Sequence, residues 1–248
     1  GTHTLTLSGG GTLVSGGLTL NNASSKLLLN SITVDSVSTS ADSSSGGLDV
    51  DNDSTVSSLS VAHITPVSIA SGKNLSGAIT VTAGSIKLAE TGTLASSISM
   101  SGGTLDADNS LTVSGTLTQA GNITIDVADD KTLTYSGAPI NVGAYTLTMS
   151  GGGRFSNPNH LDLNNTSSKL LLNSITVDNV STSSNSLGLD VDNNSTVTSL
   201  TVAHITPVSI ASGKTLSGAI TLKAGSLKLA ETGTLASSIS MSGGTLDA

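Results

Sequence analysis

Histidines and carboxylates are scarce enough in this sequence to be weighed one at a time. His63 and His204 occupy matching places in Val-Ala-His-Ile-Thr-Pro-Val-Ser-Ile-Ala-Ser-Gly-Lys. A histidine within reach of Ser68 or Asp51 would suggest a base–nucleophile pair. The chain has no Gly-x-Ser-x-Gly elbow to present that serine, and Pro66 marks the segment as a turn or an edge. We read both histidines as surface or corner residues. His3 and His160, which have no counterpart in the other copy, are read the same way.

Asp49-Val-Asp51-Asn-Asp53 and Asp190-Val-Asp192-Asn-Asn faintly resemble calcium loops. Hard cations need several converging oxygens, usually from a loop of fixed length that ends in glutamate. No glutamate follows, and no Gly-Gly-x-Gly-x-Asp series is present. Turn-forming Asx residues account for both runs. The remaining route to calcium is that Asp49, Asp51, Asp53, Asp190 and Asp192 share an ion between neighbouring coils, so calcium is the single cofactor kept in view. Asp126, Asp129 and Asp130 form a similar cluster that is not repeated.

Glycoside cleavage needs two carboxylates across a cleft. The only glutamates, Glu90 and Glu231, each sit in Lys-Leu-Ala-Glu-Thr-Gly, a solvated turn, and the aromatic platforms that sugars favour are missing. No catalytic residue is assigned, and the expectation is that the chain is not an enzyme. Thr-Leu-Thr triplets at Thr4, Thr116, Thr132 and Thr146 raise ice binding, but their spacing is irregular. Asn-x-Ser/Thr sequons at Asn22, Asn52, Asn74, Asn122 and Asn179 arise by chance in a sequence this rich in Ser and Thr.

The elements that would position these residues follow from the aliphatic pattern. Leu105, Leu111, Leu117 and Ile123 recur every six residues, and pairs such as Leu111/Val113 and Ile123/Ile125 alternate at i and i+2, which is strand periodicity. Strands of three to six residues are expected throughout, including Lys26–Leu29, Ser31–Val34, Val56–Val61, Val67–Ile69, Ala78–Val81, Ser97–Met100 and Thr104–Asp106. A helical turn is tolerated only between Ile86 and Ser97. With such short gaps the chain must wind into stacked coils. The predicted fold is all-β, a single-stranded parallel β-helix (β-solenoid) with about three short strands and roughly 18–24 residues per coil, the coils about 4.8 Å apart. Asn21, Asn22, Asn52 and Asn109 are the expected asparagine-ladder positions.

Composition agrees. Charged residues make up 10% of the chain, aromatic residues 1% and hydrophobic residues 36%, so aliphatic stacks must replace aromatic bulk. A net charge of −8 opposes nucleic-acid binding. No apolar run is long enough to span a membrane as a helix. The absence of cysteine removes disulfides and thiolate sites.

The strongest signal is an internal repeat. Ser24–Asp35 returns unchanged at Ser167–Asp178, and Asp53–Ala107 matches Asn194–Ala248 with only seven differences: positions 53, 57, 60, 74, 81, 82 and 86 of the first copy. The domain reading is one continuous solenoid over 1–248, with a first repeat at 1–142 and a second, incomplete one at 143–248. The chain starts at Gly1 without Met, and the second copy stops where the first continues, so a longer parent with more copies is expected. Length differences fall at Ala41–Gly47 against Ser184–Gly188, and at Thr12–Gly17 against Arg154–His160. These are expected to be turns, because a one-residue slip would invert a strand.

Gly102-Gly-Thr-Leu105, Leu111-Thr-Val-Ser-Gly115 and Asn122-Ile-Thr-Ile125 resemble elements of the right-handed parallel β-helices of bacterial autotransporter passengers and two-partner-secreted adhesins. The likeness runs over nearly the whole chain. It implies a right-handed coil and a secreted or bacterial cell-surface location. It also implies a structural or adhesive role in a stalk, filament or sheath. Partners would be copies of the chain itself, or a surface ligand held by regions outside it. A carbohydrate-active β-helix enzyme and an ice-binding solenoid are the alternatives. The six-residue step also resembles left-handed hexapeptide solenoids, but it fails outside 105–123.

Overall fold

A computed structural model describes residues 3–14, 16–42, 46–229 and 232–247. The described residues are all β, without a helix. They fall into two compact units, Gly1–Thr118 and Gln119–Ala248. Every strand pairing with a resolved register is parallel, and in each unit the strands stack as a β-solenoid.

In the first unit, one face is built from Thr4–Ser8, Lys26–Asn30, Gly47–Val50, Thr65–Ile69, Ser85–Leu88 and Thr104–Ala107. The register Thr4↔Lys26↔Gly47 gives coils of 22 and 21 residues, and Leu48↔Val67, Thr65↔Ile86 and Ser85↔Thr104 give 19, 21 and 19. In the second unit, Ile123↔Leu147, Thr146↔Lys169↔Gly188, Leu189↔Val208, Thr206↔Leu227 and Ser226↔Thr245 give 24, 23, 19, 19, 21 and 19. These lengths lie inside the range expected from the strand spacing.

Each coil then contributes two more strand segments, making three faces. Some coils carry them as separate strands, such as Thr93–Leu94 and Ser97–Met100. Ser54–Val61 and Asn74–Val81 instead run unbroken across the corner. Their register slips between Val56 and Ser58, so Ser57 has no partner opposite it, and the coil above must turn the same corner with one residue fewer. Gly77 makes that turn at φ +118°. A Cβ there would lie inside the Val56 carbonyl of the coil below, so only glycine fits. Gly218 repeats the arrangement over Val197 at φ +123°.

Inward side chains line up in columns. Leu27↔Leu48↔Val67↔Leu88↔Ala107 runs up the first face and Leu18↔Val37↔Leu59↔Ile79↔Ile98 up the third. All but Leu18 are buried. Apolar area removed from water stabilises such columns by about 25 cal/mol per Å². In the second unit Phe155 and Tyr135 are fully buried and stacked, ring centroids 6.0 Å apart.

Several local expectations need correction. The helical turn tolerated at Ile86–Ser97 does not form. The stretch is the strands Ser85–Leu88, Thr93–Leu94 and Ser97–Met100 joined by non-helical residues at 89–92 and 95–96, with Leu94 and Ile98 both in the core and Gly92 passing tightly over Ile69. Ser31 does not begin a strand: it has φ +55°, and the strand runs Thr33–Thr39. Pro66 is neither a turn nor an edge. It lies within Thr65–Ile69, which has paired strands on both sides. Gly47 in the coil below, lacking a Cβ and at φ +102°, leaves room for the proline ring. Gly188 and Pro207 repeat this pair. In the second copy both repeat-length differences fall in connections, at 183–187 and 157–160; in the first copy they include residues 15 and 43–45, which lie outside the described residues.

Candidate functional site

The residues singled out for chemistry are held separately. Asp49 faces outward and pairs with Lys26 of the preceding coil at 2.5 Å. Asp51 is exposed at the corner. Asp53 Oδ1 accepts the Asn74 backbone N–H at 2.8 Å and its Nδ2 at 3.3 Å. Asp190 pairs with Lys169, and Asp192 is exposed. Among the described residues no three His, Asp or Glu side chains gather in a way that could hold a metal.

His63 meets neither Ser68 nor Asp51. Its Nδ1 lies 3.5 Å from Asp42 Oδ1, which also accepts the Ile64 N–H at 2.8 Å. In the second unit Asn185 accepts the equivalent bond from Ile205, so the His–Asp pair is not repeated beside His204. His3, His160 and Glu90 are exposed, while Glu231 lies outside the described residues. Asp126 accepts a hydrogen bond from Ser150, and Asp129 from the Asp130 N–H at 3.1 Å.

The polar groups that do organise the surface are ladders. Asn52 Nδ2 donates to Asn30 Oδ1 at 2.9 Å, as expected for a stacked asparagine, and Asn193 to Asn173 repeats the bond at 2.5 Å. Asn109 donates to the Ala89 carbonyl, whereas Asn22 caps a local turn by accepting the Ser24 N–H at 3.0 Å. Sequence reading missed the buried Asn157, whose Nδ2 donates to the Asn179 carbonyl at 2.8 Å while Asn179 Nδ2 donates back to the Asn157 carbonyl at 2.9 Å. It also missed Arg154, bound to Asp178 at 2.7 Å. Among the described residues only Gln119 Oε1 and Ser186 Oγ are buried side-chain atoms without a partner.

Charge is segregated by face. The first face of the first unit holds Lys26, Asp49, Lys87 and Asp106. Lys87 lies 3.3 Å from Asp106 and 3.4 Å from Asp108. Asp106 raises the Lys87 pKa, partial burial opposes it, and Asp108 adds to the rise. The third face, over 18–20, 36–39, 58–61, 78–81 and 97–100, carries no charge. Its outward positions form two columns of small side chains: Thr19↔Ser38↔Ser60↔Thr80↔Ser99, and Ser36↔Ser58↔Ala78↔Ser97. Thr19 and Ser38 share a 3.2 Å hydroxyl contact.

The second unit repeats the columns as Asn141↔Asp162↔Ser181↔Thr201↔Thr221↔Ser240 and Asn179↔Ser199↔Ala219↔Ser238, with Asp162 the one charge within them. These columns bring together residues the sequence does not show as a set. Three of the four Thr-Leu-Thr triplets lie elsewhere, Thr4 and Thr146 on the first face and Thr132 on the second; the Thr116 triplet runs into Leu117–Gln119, which pairs with Ser97–Met100 on the third face. The surface that remains as a candidate site is therefore a periodic hydroxyl face. Compared with known proteins, the chain matches no family model, and no curated protein or solved structure is similar to it.

Proposed function

We propose that the chain is a structural or adhesive repeat segment of a bacterial surface stalk, filament or sheath, and not an enzyme. Its mechanism is mechanical. Every 19 to 24 residues add one coil, and so about 4.8 Å of reach. The observation that supports this reading is the pair of surfaces on the coils: aliphatic columns inside, and outside a series of ladders in which Lys26 with Asp49, Lys87 with Asp106, Lys169 with Asp190, Arg154 with Asp178, and the stacked asparagines Asn30 and Asn52 each bridge neighbouring coils. Rigid columns suit load and extension, and a surface of self-satisfied ladders suits contact more than turnover.

Antibodies raised against the chain should label intact cells of the organism that makes it, and external protease should remove the signal. Labelling only after lysis would overturn the surface location. Release of reducing or unsaturated sugars from polysaccharide by the purified chain would overturn the non-enzymatic reading. The hydroxyl columns also favour a second reading, ordering of water at an ice surface, which thermal hysteresis of the purified chain tests directly.

A further inference from the structure

We infer that the third face is self-complementary, and that its partner is the third face of a second copy of this chain lying alongside. The inference extends the scaffold reading by naming a partner for the hydroxyl columns. Three observations carry it.

The first is charge. With a net charge of −8, two copies repel each other at any approach that brings their acidic groups together. The third face is the approach with least acid: its strand segments carry no charge in the first unit and only Asp162 in the second, where the cation Lys223 and His160 flank the columns beside Ser181, Ser199 and Thr201.

The second is chemistry. A hydroxyl both donates and accepts, so columns of Ser and Thr satisfy an identical column without needing a different partner. The hydroxyls of Ser60, Thr80 and Ser97 point outward from exposed positions.

The third is pitch. Rows on this face recur at the strand spacing of about 4.8 Å. A second parallel stack has that spacing by construction, so two faces placed in register stay in register along their length, as in a dry interface between paired sheets.

Area sets the strength. Four residues by one row cover roughly 65 Å² at strand dimensions. Five rows, as in the first unit, give roughly 320 Å² against the about 800 Å² per partner of a stable complex. The contact is therefore weak for one unit and grows row by row.

The test is sedimentation velocity on the full chain from about 10 µM to about 1 mM, a range that brackets weak association. Wild type should be monomeric at the low end and associate toward the high end, more so at raised salt, which screens the net charge. Ser60→Lys with Thr201→Lys places a cation in the middle of the face in each unit and should abolish the concentration dependence. Ser68→Lys with Ser209→Lys, on the first face, should leave it intact. Circular dichroism confirms that all variants remain β.

A wild-type chain that stays monomeric throughout overturns the inference. So does association that survives Ser60→Lys with Thr201→Lys, or that the first-face pair removes equally. Thermal hysteresis from a monomeric chain overturns it in favour of ordered water as the occupant. Failure of surface labelling with association intact would sink the location and leave this interface standing.

Discussion

Replacing Gly77 by alanine should damage the solenoid far more than its single added methyl suggests. Gly77 turns a corner with one residue fewer than the coil below it, at φ +118°. An L-residue held at positive φ costs about 1–3 kcal/mol, and reduced freedom of the unfolded chain returns only about 0.4–1 kcal/mol. The new Cβ would also lie inside the Val56 carbonyl, a main-chain atom that cannot swing aside as a side chain can. Opening that contact disturbs the pairing of Ser54–Val61 with Asn74–Val81, so the net loss should reach about 3 kcal/mol or more, at the high end for point substitutions.

Gly72→Ala is the control. Gly72 also has positive φ, +71°, but a Cβ there meets nothing within 4 Å, so only the conformational cost of about 1 kcal/mol remains. Denaturant titration read alongside amide exchange over Val56–Val61 and Asn74–Val81 separates the two, because stacked coils open locally. Equal effects at Gly72 and Gly77, or unchanged exchange in Gly77→Ala, would refute the argument that carbonyl contact fixes this corner.

Phe155→Ala empties a fully buried position stacked on Tyr135 and should cost about 3–5 kcal/mol, read as a lower denaturant midpoint for the second unit. Asn157→Ala strands the Asn179 groups it satisfies and should cost about 1–3 kcal/mol, with faster exchange at the Asn179 amide, which donates to Asn157 Oδ1 at 3.2 Å. The Lys87 pairs are about one-third exposed, so Lys87→Met should cost under about 1 kcal/mol at neutral pH. Because folding raises this pKa, the contribution is complete below the ordinary lysine range and vanishes as pH climbs through the raised value; a difference from wild type that persists there in thermal melts would contradict the pairing. Millimolar calcium should leave the melting temperature unchanged, since Asp49 is committed to Lys26 and Asp53 to Asn74; a clear rise would return those carboxylates to metal binding.

Strands announced themselves wherever two aliphatic residues stood at i and i+2 across a polar one, as in Leu27/Leu29 and Ile123/Ile125, because alternate burial is a local property. Thr12–Leu13 and Thr93–Leu94 were too short to show any alternation. The stretch Asp35–Thr39 stayed hidden because Asp35 and Ser36 are consecutive polar residues at a corner. Pro66 was misjudged because what makes it tolerable, the missing side chain of Gly47, sits 19 residues away. The hydroxyl columns were invisible for a related reason. Coil length drifts between 19 and 24 residues, so Ser38, Ser60, Thr80 and Ser99 share no constant interval, and only the register gathers them.

The connection after Thr39 holds seven residues before Gly47, and its counterpart after Thr182 holds five before Gly188, yet Lys26↔Gly47 and Lys169↔Gly188 align their flanking strands identically. A length difference that leaves the register unchanged decouples what this stretch displays from what the columns beneath require. A peptide epitope or a protease site could be grafted at Ala41 with no change of pairing partners above or below. Drift between copies can accumulate along that margin as diversity of display, on a frame that never has to be rebuilt.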